Sequence, residues 1–368
     1  MNPDARSLGR LLCVGVRGAE IGDPRLEADL SRCAEAGVGG VILFDVDVPT
    51  ARRLEAEGVP RDQARARATR NILGAEALRE LIAHLRRRLG EDLLVAIDQE
   101  GGAVARLSAA RGFDPGVSAR TFASLTDEER QRVAARQARQ LAVLDIDLNF
   151  APCVDLALEP SSSIIAQVGR SYGAAEAEVI ACAKHVLEAH IAAGVGTCLK
   201  HFPGHGSASG DTHLGLVDIA RTWQPDRELE PYRALAGRQG VAVMMSHVVH
   251  AGLDPEHPLS MSAEAIGGML RTELGFDGVV ATDSIDMRAV LGRFSREDAA
   301  VRSVAAGVDL VVDAVNLGDV DEHPAPDLVR ALREAVERDR VPGGWDRIAK
   351  SQHRLNEIRA LRKTRKKN

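Results

Sequence analysis

The sequence is poor in aromatic residues, since Phe, Trp and Tyr together make up only 3% of its 368 residues. This shortage argues against a protein that stacks nucleic-acid bases on flat side chains. The formal net charge of −6 also lacks the basic excess with which a general nucleic-acid binder neutralises phosphates. We therefore expect no nucleic-acid partner.

Cysteine pairs with metal-ligand spacing are absent as well. The number of cysteines is odd, and no C-x-x-C motif occurs among Cys13, Cys33, Cys153, Cys182 and Cys198. This usage favours small buried thiols in a reducing compartment. No apolar run reaches about 18 residues, the lower range for a membrane span. The first residues, MNPDARSLGRLL, show no basic stretch followed by an apolar one. These features predict a cytoplasmic protein without a membrane span.

Short apolar runs recur along the chain and are separated by helical patterns. The runs lack period-two alternation, which is typical of parallel strands buried on both faces. They cover residues 11–16, 38–44, 93–98, 145–155, 195–202, 241–247, 278–283 and 308–313. Repeated strand–helix alternation predicts an α/β fold, a (β/α)₈ TIM-type barrel. The alternative is an open doubly wound sheet, but no Gly-rich phosphate turn follows an early strand.

No linker divides the chain, so we expect a single domain over residues 1–368 with its core at about residues 8–350. The largest irregular segment, 45–70, is predicted to be an inserted loop after the second strand. Its charge indicates a solvated excursion that would rim a site on the C-terminal face of the barrel. The basic end, 351–368, is expected to be a solvated helix with a frayed tail.

Polar side chains follow four of the predicted strands. They lie at 98–102, 200–206, 246–247 and 283–284. A single Asp at a strand end is equally well explained as a turn residue or a helix cap. Four polar strand ends together indicate a site, because the catalytic groups of a barrel collect at its C-terminal face.

The loop after the fifth strand carries the richest pattern. Gly204 and Gly206 allow the backbone to bend sharply, and Asp211 lies two residues before His213. In an extended loop these two side chains point the same way, so the carboxylate can orient the imidazole as an acid/base. The alternative is an Asp-capped turn beside a surface histidine.

Five motifs together carry a resemblance to a known family. They are DQEGG (98–102), GRSY (169–172), KHFPGHG (200–206), DTH (211–213) and ATDSIDM (281–287). In this order they resemble the family 3 glycoside hydrolases, specifically the β-N-acetylhexosaminidase branch. The likeness runs from about residue 11 to about residue 313.

The resemblance implies a retaining enzyme that needs no metal and no cofactor. It assigns the nucleophile to Asp283, whose carboxylate would attack the anomeric carbon. It assigns the general acid/base to His213 and the orientation of that imidazole to Asp211. It also implies that five residues bind the sugar: Asp98, Arg106, Arg170, Lys200 and His201.

Other residues near these motifs have simpler explanations. Arg106 has the alternative of a helix-surface position. Glu100 is expected to support its turn, His205 to pack inside the Gly-rich loop, and Asp286 to start a helix. His247 either caps the sixth strand or lines the pocket.

The resemblance predicts an exo-acting β-N-acetylglucosaminidase that releases terminal GlcNAc from peptidoglycan or chitin fragments. The partner is then a small carbohydrate, and the oligomeric state stays open. The low aromatic content favours a small pocket with charged contacts over an open cleft. Three alternatives are a β-glucosidase or β-xylosidase of the same family, a GlcNAc phosphorylase, and a non-catalytic sugar-binding protein.

Overall fold

A computed structural model describes residues 6–159, 164–208, 210, 212 and 215–365. Its main sheet contains eight strands, one in each predicted apolar run. In chain order these are β1 Leu12–Gly15, β2 Gly40–Leu43, β3 Leu94–Ile97, β4 Leu148–Asn149, β5 Gly196–Phe202, β6 Val241–Met245, β7 Val280–Thr282 and β8 Val311–Asp313.

The sheet closes into a barrel. Strands that are consecutive in the chain pair in parallel from β1 to β7, and β8 pairs with β1 through Leu12 and Val311. A parallel bridge between Ala281 and Leu310 joins β7 to the residue just before β8. The (β/α)₈ barrel prediction is therefore confirmed, and the open doubly wound sheet is wrong because such a sheet leaves two free edges.

Helices alternate with the strands and surround them. The α-helices are Arg6–Gly9, Pro24–Ala36, Val48–Ala56, Arg61–Arg67, Ala75–Leu89, Ala119–Ala123, Asp127–Val143, Ile164–Gln167, Glu176–Ala192, Pro225–Glu228, Glu230–Leu235, Arg288–Leu291, Arg296–Ala306, Ala325–Glu337 and Gly344–Arg365. Two 3₁₀ turns (Ala109–Arg111, Leu259–Met261), a π-helical stretch (Glu264–Glu273) and a small antiparallel hairpin (Gln99–Gly101 with Val104–Ala105) complete the elements. No helix among the described residues is long and apolar enough to cross a membrane.

Alternate residues of a strand enter two different cores. In β3, Leu94 and Ala96 belong to the apolar cluster inside the barrel, whereas Val95 and Ile97 pack outward against the helices. Successive side chains of a strand point to opposite faces, and both faces are covered here. This two-sided burial explains why the strands read as continuous apolar runs.

Segment 45–70 is not the irregular, solvated loop that the sequence suggested. It forms two helices, Val48–Ala56 and Arg61–Arg67. Arg70 is 1% exposed and donates hydrogen bonds to Asp47 (2.8 Å), to Asn316 (3.1 Å) and to the carbonyl of Val315 (2.9 Å). The segment therefore packs against the loop after β8, because its buried cation is paired and hydrogen-bonded there.

The C-terminal helix also differs from the expectation. Leu355 and Ile358 are 1% and 3% exposed and belong to the cluster inside the barrel. Arg347 and Arg354 lie 3.1 and 3.3 Å from the carboxylate of Asp309, at the N-terminal end of the barrel. The predicted helix is present over 351–365, but one of its faces covers that end of the barrel, so the expectation that it is solvated is wrong. Residues 366–368 lie outside the described residues.

Candidate active site

A cavity of about 140 Å³ opens at the C-terminal end of the barrel. Asp98 follows β3 and Asp283 follows β7, and both line this cavity together with Arg106. The other lining residues come from the strands, from the loops that follow them and from the helices of segment 45–70: Ile42, Phe44, Asp45, Val46, Val48, Arg65, Met244, Ser284, Asp286, Met287, Val312, Ala314, Asn316 and Leu317. Three of the predicted catalytic and sugar-binding residues therefore share one cavity.

Asp283 is held at the end of β7 by its own backbone. Its N–H donates to the carbonyl of Met245 at 2.9 Å, and its Oδ1 accepts the N–H of Ser284 at 2.8 Å. The side chain is partly exposed where it lines the cavity. The backbone contacts thus place the carboxylate of Asp283 at the wall of the cavity.

Lys200 joins the two carboxylates of the DQEGG motif. Its Nζ lies 2.8 Å from Asp98 Oδ1 and 2.8 Å from Glu100 Oε1, and its side chain is 3% exposed. Burial alone would lower the pKa of Lys200, but the charges of Asp98 and Glu100 outweigh it and raise that pKa. Lys200 therefore stays protonated and fixes the orientation of Asp98.

Glu100 does more than support a turn. Arg170 donates to its two carboxylate oxygens at 2.9 and 2.8 Å, a bidentate pair that adds to the contact with Lys200. Burial would raise the pKa of Glu100, but the positive charges of Arg170 and Lys200 hold it well below its usual range. Glu100 thus links two of the predicted sugar-binding cations.

Asp155, which the sequence analysis did not single out, supports the loop after β5. Its Oδ2 lies 2.6 Å from His201 Nδ1, and its Oδ1 accepts the N–H groups of His201 (3.1 Å) and His205 (2.9 Å). Burial would raise the pKa of Asp155, but the adjacent His201, through its ring and its backbone N–H, lowers that pKa strongly. Its position at the polar end of the fourth apolar run is the feature of the sequence that could have identified Asp155.

The side chains of Cys153, Asp155 and His201 offer ligand atoms that all lie within 4.8 Å of one another, as the ligands of a metal ion would. Both Asp155 oxygens accept hydrogen bonds from the protein, including one from the thiol of Cys153 at 3.3 Å. Burial raises the pKa of that thiol well above its usual value, which disfavours the thiolate that binds metals. The chemistry of these residues therefore fits a hydrogen-bonded support.

Arg106 lies in the cavity and not on a helix surface, so that alternative is wrong. Its guanidinium carbon is 5.3 Å from the centre of the Phe44 ring, and its nitrogens lie 3.8 Å from Asp98 and 3.9 Å from Asp45. These contacts place a cation at one side of the cavity.

Asp286 does not start a helix, because Arg288–Leu291 begins two residues later. Its carboxylate accepts the hydroxyl of Ser284 at 2.7 Å and the N–H groups of Asn316 and Leu317 at 2.9 and 3.1 Å. Asp286 therefore ties the loop that follows Asp283 to the loop after β8.

His205 and His247 are both buried. His205 is 4% exposed inside the Gly-rich loop, as predicted. His247 lies 2.7 Å from the hydroxyl of Ser260 and 3.0 Å from the carbonyl of Ser284. It therefore supports the ends of β6 and β7 and is not among the cavity-lining residues.

The predicted acid/base pair, Asp211 and His213, lies outside the described residues. Thr212, the residue between them, is described and is 4% exposed. Its carbonyl accepts the N–H of Ala289 at 3.2 Å, in the short helix that follows Asp283. The chain at Thr212 thus runs beside the element that follows the predicted nucleophile.

Residues 26–357 match the family model described as the glycosyl hydrolase family 3 N-terminal domain. A beta-hexosaminidase of Idiomarina loihiensis is 31% identical over 251 residues, which cover 66% of this chain and 74% of that protein. The beta-hexosaminidase LpqI of Mycobacterium tuberculosis is 38% identical over 232 residues, 60% of this chain and 58% of that protein.

Solved structures show the same fold. A family 3 beta-N-acetylglucosaminidase from Paenibacillus sp. superimposes with a TM-score of 0.82 and 30% identity, over 99% of this chain but only 63% of that one. The structure of M. tuberculosis LpqI gives a TM-score of 0.78 and 29% identity, over 97% of this chain and 94% of that one. The resemblance seen in the motifs is confirmed: this chain belongs to glycosyl hydrolase family 3.

Proposed function

We propose that this protein is a retaining exo-β-N-acetylglucosaminidase that removes terminal GlcNAc from peptidoglycan or chitin fragments. The observation that carries the proposal is that Asp283 shares one small cavity with Asp98 and Arg106 at the C-terminal end of the barrel. The names of the relatives, beta-hexosaminidase and beta-N-acetylglucosaminidase, support this substrate class.

In the first step, the carboxylate of Asp283 attacks the anomeric carbon of the bound GlcNAc. The bond between that carbon and the aglycone oxygen breaks, and protonated His213 donates its proton to the leaving oxygen. The products are a glycosyl ester on Asp283 and a free aglycone alcohol.

In the second step, water attacks the anomeric carbon of the glycosyl ester. Neutral His213 takes a proton from this water, and the bond to Asp283 breaks to regenerate the carboxylate. Asp211 orients the imidazole and stabilises its protonated form. The two displacements together retain the β configuration.

The sugar-binding role of the charged cluster has a physical basis. Sugar hydroxyls lose hydrogen bonds to water on binding, and charged partners compensate for that loss better than neutral ones. Asp98, fixed by Lys200 at 2.8 Å, is the acceptor that faces the cavity. Arg106, which lines the cavity, and Arg170 supply the donors, and the small cavity favours one terminal sugar.

Chromogenic β-GlcNAc and β-glucoside substrates, offered side by side with and without phosphate, test the proposal. We expect turnover of the GlcNAc substrate, free GlcNAc as the product in both buffers, and no turnover by Asp283→Ala. Asp346→Ala, an exposed carboxylate on the C-terminal helix, is the matched control and should retain activity.

Three outcomes would contradict the proposal. Preference for the glucoside would favour a β-glucosidase or β-xylosidase. GlcNAc 1-phosphate as the product would favour a phosphorylase. Binding of GlcNAc without turnover of either substrate would favour a sugar-binding protein.

A cytoplasmic location is part of the proposal. It is supported by five cysteines that are free and buried, since thiols persist in reducing compartments. Cell fractionation with an antibody tests it, and recovery of the protein outside the cytoplasmic fraction would contradict it.

A further inference from the structure

One wall of the cavity comes from outside the strand ends that carry Asp98 and Asp283. Segment 45–70 contributes Val46, Val48 and Arg65, and the loop after β8 contributes Asn316 and Leu317. The proposed reaction steps use none of these residues. Segment 45–70 is therefore a part of the site without an assigned role.

Arg65 differs from the other charged residues that line the cavity. Asp45 lies 3.9 Å from Arg106, Asp98 lies 2.8 Å from Lys200, and Asp286 accepts two backbone N–H groups. Arg65 is partly buried, and within the described parts of the chain its side chain makes no hydrogen bond and no ion pair. Its guanidinium thus has all its donors available in a cavity that holds the predicted nucleophile.

The helix that carries Arg65 is held in place by buried neighbours. In and just after the helix Arg61–Arg67, Ala64 and Ala68 are 0% and 2% exposed. A bridge between Val46 and Thr69 and the buried Arg70 attach the segment to the rest of the fold. A binding group on a packed helix is presented more accurately than one on a free loop. This distinguishes Arg65 from an arginine on an unrestrained surface loop.

We propose that Arg65 is a specificity-determining residue that binds an anionic group on the aglycone of the substrate. The inference rests on the proposed function, because it assumes that a β-GlcNAc unit occupies the cavity beside Asp283. A guanidinium presents parallel N–H donors that match a carboxylate or a phosphate. The neighbouring Asp45 makes its ion pair with Arg106, at 3.9 Å, and not with Arg65.

Matched disaccharides test the proposal. The first is neutral and consists of GlcNAc β-1,4-linked to GlcNAc. The second is anionic, because its reducing sugar carries a carboxylic acid linked as an ether to O3. The third is the neutral methyl ester of that acid. A fourth carries phosphate on O6 of the reducing sugar and separates the two kinds of anion. The scissile bond is the same in all four. We expect at least one anionic substrate to exceed both neutral ones about tenfold in kcat/KM.

Three substitutions at two positions of one helix assign the preference to a residue. Arg65→Gln should remove the tenfold preference, so that its kcat/KM for the anionic disaccharides equals its kcat/KM for the neutral ones within about twofold. Arg65→Lys should keep part of the preference because it keeps the charge but loses the fork. Arg67→Gln, at an exposed position of the same helix, is the matched control and should behave as the wild type.

The outcomes separate this inference from the proposed function. Equal turnover of all four disaccharides by the wild type, or a preference for the anion that survives in Arg65→Gln, would overturn the role of Arg65. Failure of the wild type to cleave any β-GlcNAc substrate, including a neutral aryl glycoside, would overturn the proposed function itself.

Discussion

The carboxylate of Asp155 lies 2.6 Å from Nδ1 of His201, and this contact fixes the imidazole of His201 in one tautomer. With the proton on Nδ1, the opposite nitrogen is left as an acceptor, and Arg170 Nη2 lies 3.2 Å from it. The same carboxylate accepts the N–H groups of His201 and His205. One buried side chain therefore orients a predicted sugar-binding residue and shapes the loop that leads to Asp211 and His213.

We predict that Asp155→Asn lowers kcat/KM for β-GlcNAc substrates by about tenfold to a hundredfold. The amide replaces a charged acceptor of several hydrogen bonds, each of which contributes more than a neutral one. It also removes the preference for a proton on Nδ1 of His201. Steady-state kinetics give the loss, and the ¹⁵N chemical shifts of the His201 ring report the tautomer.

Asp309→Asn is the matched control for Asp155→Asn. Asp309 is also fully buried, but it pairs with Arg271 and Arg347 at the opposite end of the barrel. This substitution should lower the free energy of unfolding and leave kcat/KM of the folded protein unchanged. Equal losses of kcat/KM in both variants would show that Asp155 acts only through stability.

His190 gives a prediction about pH. It is fully buried between the carbonyl of Val186, 2.8 Å from Nδ1, and the amide of Asn149, 3.2 Å from Nε2. Burial lowers the pKa of His190 to about 4 from an ordinary value of 6.5. Below pH 6.5 the unfolded chain therefore binds a proton that the folded protein does not. The stability from this site is complete above pH 6.5 and falls by roughly 3 kcal/mol as the pH decreases towards 4.

Urea unfolding of the wild type and of His190→Gln between pH 7 and pH 4 measures this contribution. The variant is expected to lose less stability over that interval, because glutamine does not titrate. His205 and His323, whose pKa values burial also lowers, are present in both proteins and cancel in the comparison. Parallel stability curves for the two proteins would contradict the assignment.

The C-terminal helix is predicted to be part of the barrel core. Leu355→Ala should lower the free energy of unfolding by about 3 kcal/mol, since it leaves a cavity beside the side chains inside the barrel. His353→Ala, with a side chain that is 81% exposed on the same helix, should change it by less than about 0.5 kcal/mol. Chemical unfolding measures the free energy of unfolding of both variants. A loss for Leu355→Ala as small as that for His353→Ala would show that the helix is only loosely attached.

The barrel itself could be predicted from the sequence, because two-sided burial makes each strand a continuous apolar run. The predictions of a solvated loop at 45–70 and of a solvated C-terminal helix are wrong for the same reason. Segment 45–70 and the C-terminal helix are rich in charge, but their structure depends on a few side chains with distant partners. Arg70 contacts residues near 315, and Leu355 enters the barrel interior. Such contacts between residues far apart in the chain cannot be predicted from the composition of a short segment.

The site was predictable to the extent that its residues belong to motifs at strand ends. Asp98 and Lys200 were singled out separately, and the structure places them 2.8 Å apart. Asp155 was missed because a carboxylate that ends an apolar run looks the same whether it caps a turn or supports two histidines. The sequence did not single out Arg65, because the charge of segment 45–70 predicts a solvated loop where the structure has a packed helix.

The acid/base role of His213 predicts a dependence on the leaving group. His213→Ala should reduce the turnover of glycosides with a poor leaving group, such as an alkyl alcohol, far more than that of glycosides with a good one, such as dinitrophenol. Only the poor leaving group needs a proton in the transition state. Turnover rates for a series of β-GlcNAc glycosides with different leaving groups measure this dependence in the wild type and in the variant. Equal losses across the series would contradict the acid role.

The most direct test of the account is to identify the residue that carries the sugar during turnover. A 5-fluoro derivative of β-GlcNAc fluoride forms a glycosyl-enzyme whose hydrolysis is slow, so the ester survives proteolysis and mass spectrometry. The account predicts one sugar per chain, attached to Asp283. A sugar attached to a different side chain, or turnover without any covalent species at any time after mixing, would contradict it.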